Sequence, residues 1–217
     1  MMLRKLNINR AIAVCFTMLM LTACQSAYYS AMEKVGVHKR DIMLDRVEEA
    51  KESQQHAQQQ FTSALEQLTQ LINFDGGDLE EQYQLINDQY EESKKAAADV
   101  SNRINKIEDV ADALFTEWSD EITQYSSEKL KRQSQLKLKQ TQRRYQKLMR
   151  SMHNAERKMP PVLAALKDNS LYLKHNLNAQ AIGALQGEFK AIKLDVKVLI
   201  KEMNVAIEQS QQFIDML

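Results

Sequence analysis

The sequence predicts an all-α protein, an elongated antiparallel coiled-coil bundle of about three long helices. Composition is the first observation behind this. Only five glycines and two prolines occur in 217 residues, while Ala, Leu, Gln, Glu and Lys are abundant, as in long helices and coiled coils. The second is apolar spacing in alternating steps of four and three, which keeps a seam on one face of a supercoiled helix. The third is that no run of alternating β-branched and aromatic residues suggests a sheet.

The first helix is expected near residues 28–74. Its seam is weak: Leu44 and Val47, then Phe61, Leu65, Leu68 and Ile72. Between them Glu48 to Gln60 offers only Ala50 and Ala57 as apolar residues, so loose packing is expected there. Asp75-Gly76-Gly77-Asp78 ends this helix, because glycine tolerates the backbone of a helix C-terminus. Asp78 with Glu81 then makes a capping box before Leu79.

The second helix is expected near 79–158. Leu79, Tyr83, Ile86, Tyr90, Ser93, Ala97, Val100, Ile104, Ile107, Ala111, Leu114 and Trp118 form its seam, with Ser93 the one polar member. Unbroken, it would reach roughly 120 Å. The repeat fades after Trp118, and Tyr125-Ser126-Ser127-Glu128 offers a kink or a second start. Pro160-Pro161 makes the next break, since proline disfavours helix in the residue before it and is at home in a first helical turn. The third helix is expected near 161–217, with Leu185, Phe189, Ile192, Val196, Leu199, Met203, Ala206, Ser210, Phe213 and Leu217 as its seam. Leu163, Leu166, Ser170, Leu173 and Leu177 are out of phase with Leu185, and Asn176-Leu177-Asn178 marks a second place for a break. A four- or five-helix version therefore stays open. Short connections make neighbouring helices antiparallel.

Ahead of the helices lies a different kind of segment. Arg4, Lys5 and Arg10 precede the apolar run Ala11 to Leu21, the layout of a secretory signal peptide. The run is about half of what spans a bilayer. Its end, Leu21-Thr22-Ala23-Cys24, resembles the lipobox of bacterial lipoproteins. That resemblance implies cleavage before Cys24 and its acylation, for instance with palmitate. Residues 1–23 would be removed, 24–27 would form a short tether, and 28–217 would be a single helical domain. Gln25 and Ser26 follow the cysteine, with no Asp next to it; by resemblance to lipoprotein sorting rules this implies the outer rather than the inner membrane of a Gram-negative cell envelope, facing the periplasm. Several acyl chains suffice for stable attachment. Cys15 and Cys24 are the two cysteines, so the mature domain forms no disulfide.

Chemistry-bearing motifs are sparse. No Gly-x-x-x-x-Gly-Lys phosphate loop occurs, and no cofactor is implied. Ala179, Gly183, Gly187 and Ala191 fall every four residues, a small-residue stripe that suits close helix packing. His38, His56, His153 and His175 lack i, i+4 partners or cysteines, so no metal spacing is present and solvated histidines are expected. Asp75 and Asp78 lack the further ligands of a calcium loop. Serines show no nucleophile elbow. The expectation is a protein that is not an enzyme.

Charge is segregated. Removing Arg4, Lys5 and Arg10 leaves 26 basic against 29 acidic side chains. Residues 75–121 hold fourteen acidic and four basic side chains, whereas 129–158 hold eleven basic ones and the single acid Glu156. On one extended helix this makes one end of the rod negative and the other positive. The positive segment, with Lys137, Lys139, Arg143, Arg144, Lys147 and Arg150 at its centre, is the candidate polyanion contact: anionic lipid, lipopolysaccharide or an acidic protein. Nucleic acid fits less well, because Tyr145 is the only aromatic residue there and no recognition motif is present. Exported protein would also be separated from cytoplasmic DNA. The rod also has the charge pattern to associate with a second copy.

Tyr28-Tyr29-Ser30-Ala31-Met32-Glu33-Lys34-Val35-Gly36-Val37-His38-Lys39-Arg40-Asp41 resembles the start of an uncharacterised family of proteobacterial helical lipoproteins. Asn73-Phe74-Asp75-Gly76-Gly77-Asp78-Leu79 and Leu171-Tyr172-Leu173-Lys174-His175-Asn176-Leu177-Asn178-Ala179 resemble it too. The family is a domain of unknown function, so the resemblance implies no activity. Together the features lead to an envelope lipoprotein acting as a non-catalytic scaffold, spacer or adaptor anchored through Cys24. The alternative is a binder of anionic lipid or lipopolysaccharide through the basic segment.

Overall fold

A computed structural model describes residues 28–29, 31–73, 76, 78–176 and 179–217. The signal segment, Cys24, the tether, Asp75, Gly77, Leu177 and Asn178 lie outside the described residues. The described chain is all-helical. A helical turn at 31–34 precedes α1 (Lys39–Ile72), α2 (Leu79–Thr123), α3 (Glu128–Glu156), α4 (Met159–His175) and α5 (Ala179–Ile214). Five helices thus stand where about three were expected.

The first correction is at Gly36. The Gly36 N–H donates to the Glu33 carbonyl and the Val37 N–H to the Met32 carbonyl, both at 3.0 Å. This is a Schellman closure, which places its C′ residue in the left-handed region; Gly36 has φ +85°. The helix expected from 28 to 74 therefore breaks and restarts at Lys39, behind an extended His38.

The seam of α1 buries Val47, Phe61 and Leu68 as expected, but takes Met43, Ala64 and Leu71 in place of Leu44, Leu65 and Ile72, one residue earlier. Met43, Val47, Ala50, Gln54, Ala57, Phe61, Ala64, Leu68 and Leu71 are all buried and alternate steps of four and three without a lapse. Leu44, Leu65 and Ile72 are only half-buried. The stretch expected to pack loosely is as buried as the rest, because Ala50 and Ala57 are completely covered by the neighbouring helices. Asp78 caps α2 by accepting from the Glu80 N–H at 2.8 Å. Ile86, Ser93, Ala97, Val100, Ile104, Ile107, Ala111 and Leu114 are buried as the repeat predicts.

The largest correction is at 124–127. The chain reverses there, and the Ser127 hydroxyl caps α3 by accepting from the Leu130 N–H, with Glu128 favourably placed in the first turn. Trp118 Nε1 donates to Ser134 Oγ at 2.9 Å, and His153 meets Glu108 at 3.0 Å. The rising and falling numbers mean that α3 runs antiparallel to α2. No 120 Å rod forms; α2, at 45 residues, is about 67 Å long.

Conversely, Pro160-Pro161 does not turn the chain back. Leu138, Thr141, Leu148, Met152, Ala155, Met159, Val162, Leu166, Asn169 and Leu173 are buried. With half-buried Tyr145 they keep one four-three phase straight through the break. The prolines sit in the first turn of α4 on the solvent side, where missing N–H groups cost little. So α4 prolongs α3 along α2, and Ser170 Oγ donates to Asn87 Oδ1 at 3.1 Å.

The reversal comes instead beyond Asn176, as the phase slip suggested. α5 then packs antiparallel to α1: Lys51 reaches Gln211, Gln58 reaches Asn204 and Gln186 reaches the Ile72 carbonyl. Its predicted seam is buried from Leu185 to Phe213, apart from half-buried Phe189. The result is an up-and-down bundle of four rows, α1, α2, α3 with α4, and α5, around one continuous core.

Candidate functional site

The basic segment becomes one exposed helix. Lys129, Arg132, Leu136, Lys139, Arg143, Lys147 and Arg150 advance in steps of three and four, so they share a face of α3, and all are exposed. The opposite face carries Leu138, Leu148 and Met152 into the core. Of the six predicted contact residues, Lys139, Arg143, Lys147 and Arg150 thus lie together on the outer face. Lys137 and Arg144 turn to the flank beside Phe213 of α5 and Met216 just beyond it. Among the described residues, none of the lysines and arginines of 129–158 is paired with a carboxylate.

The seam between α1 and α2 is the reverse case. Lys39 is held by Glu33 and by Glu117, the latter at 2.8 Å. Burial pulls the Lys39 pKa down, but the hydrogen bonds to Glu117 and Glu33 outweigh it and leave it above the ordinary lysine value. The same contact with Lys39 holds the Glu33 carboxyl low. Glu49 bridges Arg46 at 2.8 Å and Arg103 at 2.6 Å, while Ser53 donates to Asp99 at 2.6 Å. The ionisable cluster around His38 therefore works as a clasp: Lys39 ties the 31–34 turn and α1 to α2.

Folding at 124–127 also changes the charge geometry. The acidic helix and the basic helix lie side by side, not end to end as an extended rod would have them. Their contact is sparse in ion pairs. His153 is the link: Nε2 meets Glu108 at 3.0 Å and Nδ1 meets Glu156 at 2.9 Å. Burial opposes its protonation, but these two carboxylates prevail and raise its pKa. His153 is thus a half-buried bridging residue, not the solvated histidine expected. Beside it Tyr145 packs edge-on against Phe115, at 5.4 Å between ring centres. Burial pushes its hydroxyl up to about 12, so it stays neutral.

The expected packing role of the small-residue stripe is not observed. Gly183, Gly187 and Ala191 face solvent, and a side chain built at either glycine meets nothing within 4 Å. A four-residue step drifts off the seam, and the core takes Ile182, Leu185 and Ile192 instead.

A cleft of about 360 Å³ opens where the start of α1, the end of α2 and the first third of α3 meet. Leu114, Trp118 and Leu217 give it an apolar lining, and Lys39, Arg40 and Lys137 line it together with Glu117, Glu121 and His38. Among the described residues no cluster of His, Cys, Asp and Glu could hold a metal ion. No described helix is long and apolar enough to cross a membrane.

These features define a class: an all-helical antiparallel bundle whose most distinctive surface is a row of unpaired cations. The chain belongs to the family described as "Protein of unknown function (DUF2959)", whose model matches residues 28–217. No curated protein and no solved structure matches it.

Proposed function

We propose that the protein is a cell-envelope lipoprotein, anchored by acylated Cys24 and acting as a non-catalytic scaffold, spacer or adaptor on the periplasmic side of the outer membrane. The observation that carries this reading is Leu21-Thr22-Ala23-Cys24 behind a basic start and an apolar run. The family match begins at residue 28, immediately after the proposed tether, which supports treating 28–217 as the working domain. The unbroken heptad seams support coiled-coil packing and a stiff body of the kind a spacer needs.

The test is metabolic labelling with palmitate combined with fractionation. The chain should carry fatty acid and sediment with membranes, and Cys24→Ala should lose both. Proximity labelling from the domain should then return a small, reproducible set of envelope proteins. An unlabelled chain found with the cytosol would overturn the proposal.

A further inference from the structure

One end of the bundle gathers several features that the sequence keeps far apart. α1 starts there, α2 ends there, and the 124–127 reversal and the start of α3 complete it. Tyr28, the first described residue, lies beside Arg46, about 10 Å along the bundle from the start of α1. Three residues lie between Cys24 and Tyr28, and the four steps reach at most about 14 Å.

This end is both apolar and positive. Leu130 and Leu136 are 51% and 62% exposed on the first turns of α3. Lys129, Arg132 and Lys139 share the face of Leu136, while Leu130 sits about a third of a turn round the helix, at the tip. Exposed Val35 and Tyr125 occupy the adjoining loops. The nearby carboxylates Glu33 and Glu117 are taken up by Lys39, and Asp41 by Arg40; Asp120, Glu121 and Glu128 stay open. The far end exposes Leu85 and Leu171 as well, yet there Lys167, Lys174 and Lys190 stand among Asp168, Glu188 and the acidic start of α2, Asp78, Glu80 and Glu81. Leucines set among lysines and arginines, with a tyrosine at the margin, are the chemistry of the membrane interface.

We propose that the first half of the outer face of α3, through Leu136, Lys129, Arg132 and Lys139, docks on the anionic phospholipid surface of a bilayer. Leu136 enters the head-group layer and the cations meet its phosphates, within the roughly 8 to 10 Å over which surface charge acts. The orientation rests on the reading of Cys24 as the anchor; the contact itself does not. The bundle then leans on the membrane with its α3 side down and leaves the α4 end free for partners.

The contact is tested with residues 25–217, which retain every described helix and the whole buried core and contain no cysteine. This protein should co-sediment with vesicles containing phosphatidylglycerol, less so as salt rises, and not with phosphatidylcholine alone. The triple variant Lys129→Glu, Arg132→Glu, Lys139→Glu should lower partitioning at least about tenfold, whereas Lys174→Glu with Lys190→Glu should not. In separate single-cysteine variants, a polarity-sensitive dye on Leu136→Cys should shift to the blue on these vesicles and one on Leu194→Cys should not. Absent binding, undiminished binding by the triple variant, or a dimer that buries position 136 would overturn the inference. Palmitate labelling separates the two readings. Acylation without vesicle binding keeps the anchor and removes the docking face; vesicle binding without acylation does the opposite.

Discussion

Replacing Gln54 by methionine should stabilise the bundle. Gln54 occupies a seam position of α1 between Ala50 and Ala57, is 0% exposed, and neither its amide nitrogen nor its amide oxygen has a hydrogen-bond partner. An unsatisfied buried polar group costs about 1 to 3 kcal/mol, and an apolar group of the same shape is neutral or stabilising in its place. Methionine has nearly the length of glutamine and adapts to irregular gaps, so it removes the penalty without opening a cavity. Taking the two amide atoms as one group gives a gain of about 1 to 3 kcal/mol. For a domain of this size that is a rise of roughly 2 to 12 °C in Tm. The assay is thermal unfolding of residues 25–217 followed by circular dichroism at 222 nm, paired with urea titration to check that the slope is unchanged. Gln54→Ala serves as the contrast: it also deletes the amide but leaves a void, so it should fall below Gln54→Met by about 1 kcal/mol or more. If Gln54→Met lowered stability by more than about 1 kcal/mol, the amide would have to be satisfied in solution, by a trapped water for example, and the reasoning from burial would fail. A polar residue at a seam position also fixes register. The methionine variant should therefore be checked by sedimentation for a second oligomeric state.

Three further outcomes are expected. The folded pKa of His153 is raised, so its bridge to Glu108 and Glu156 contributes fully below the unfolded value of about 6.5 and fades as pH rises through the folded value; His153→Ala should flatten the stability profile across that window by several tenths to about 1 kcal/mol, measured by urea unfolding at a series of pH values. Gly36→Ala forces a Cβ into φ +85° and should cost about 1 to 2 kcal/mol, seen as faster amide exchange in the 31–38 segment while the α5 seam keeps its protection. Ala57→Leu adds volume at a fully buried seam position and should lower stability by about 1 to 3 kcal/mol by chemical denaturation; an unchanged midpoint would show that the waist of α1 packs as loosely as its composition suggests.

The legible parts of the fold were those where large apolar side chains recur. From Ile86 to Leu114 and from Leu185 to Phe213 the repeat is written in Ile, Val, Leu, Met and Phe, and nearly every predicted position is buried. α1 was misread because its interior is filled by Ala50, Ala57 and Ala64. A small side chain signals burial only through the space its neighbours leave, and Leu65 and Ile72, one residue away, looked the better candidates. The seam of α3 was missed for a related reason: Thr141 and Ser151 are buried there and read as surface. The breaks carry a sharper lesson. Two prolines looked like a reversal and a Tyr-Ser-Ser-Glu run like a kink, but phase decides between them. Ala155, Met159 and Val162 hold the same face across the prolines, whereas beyond Tyr125, seven residues after Trp118, nothing apolar continues the α2 seam in register as far as Leu138. A break that preserves phase bends a helix, and one that loses it frees the chain to turn.

That distinction governs the candidate surface as well. The six cations chosen from sequence are all exposed, but their meaning depended on where the chain reverses. A straight helix through 79–158 would have carried them to a far tip, remote from the chain start and opposed to the acidic half only along the axis. The reversal at 124–127 returns the basic helix to the level of Glu108 and Trp118, and the clasp of Lys39 on Glu33 and Glu117 folds the chain start back along the bundle, with Tyr28 beside Arg46. What no sequence periodicity could report is this coincidence of tether and charge, because it arises from one turn and one ion-pair clasp acting together. Lys129 to Arg143 lie toward the end where α1 starts, and Arg157 stands about 20 Å further along the bundle. Charge reversal at Lys129, Arg132 and Lys139 should therefore lower vesicle binding more than charge reversal at Arg157.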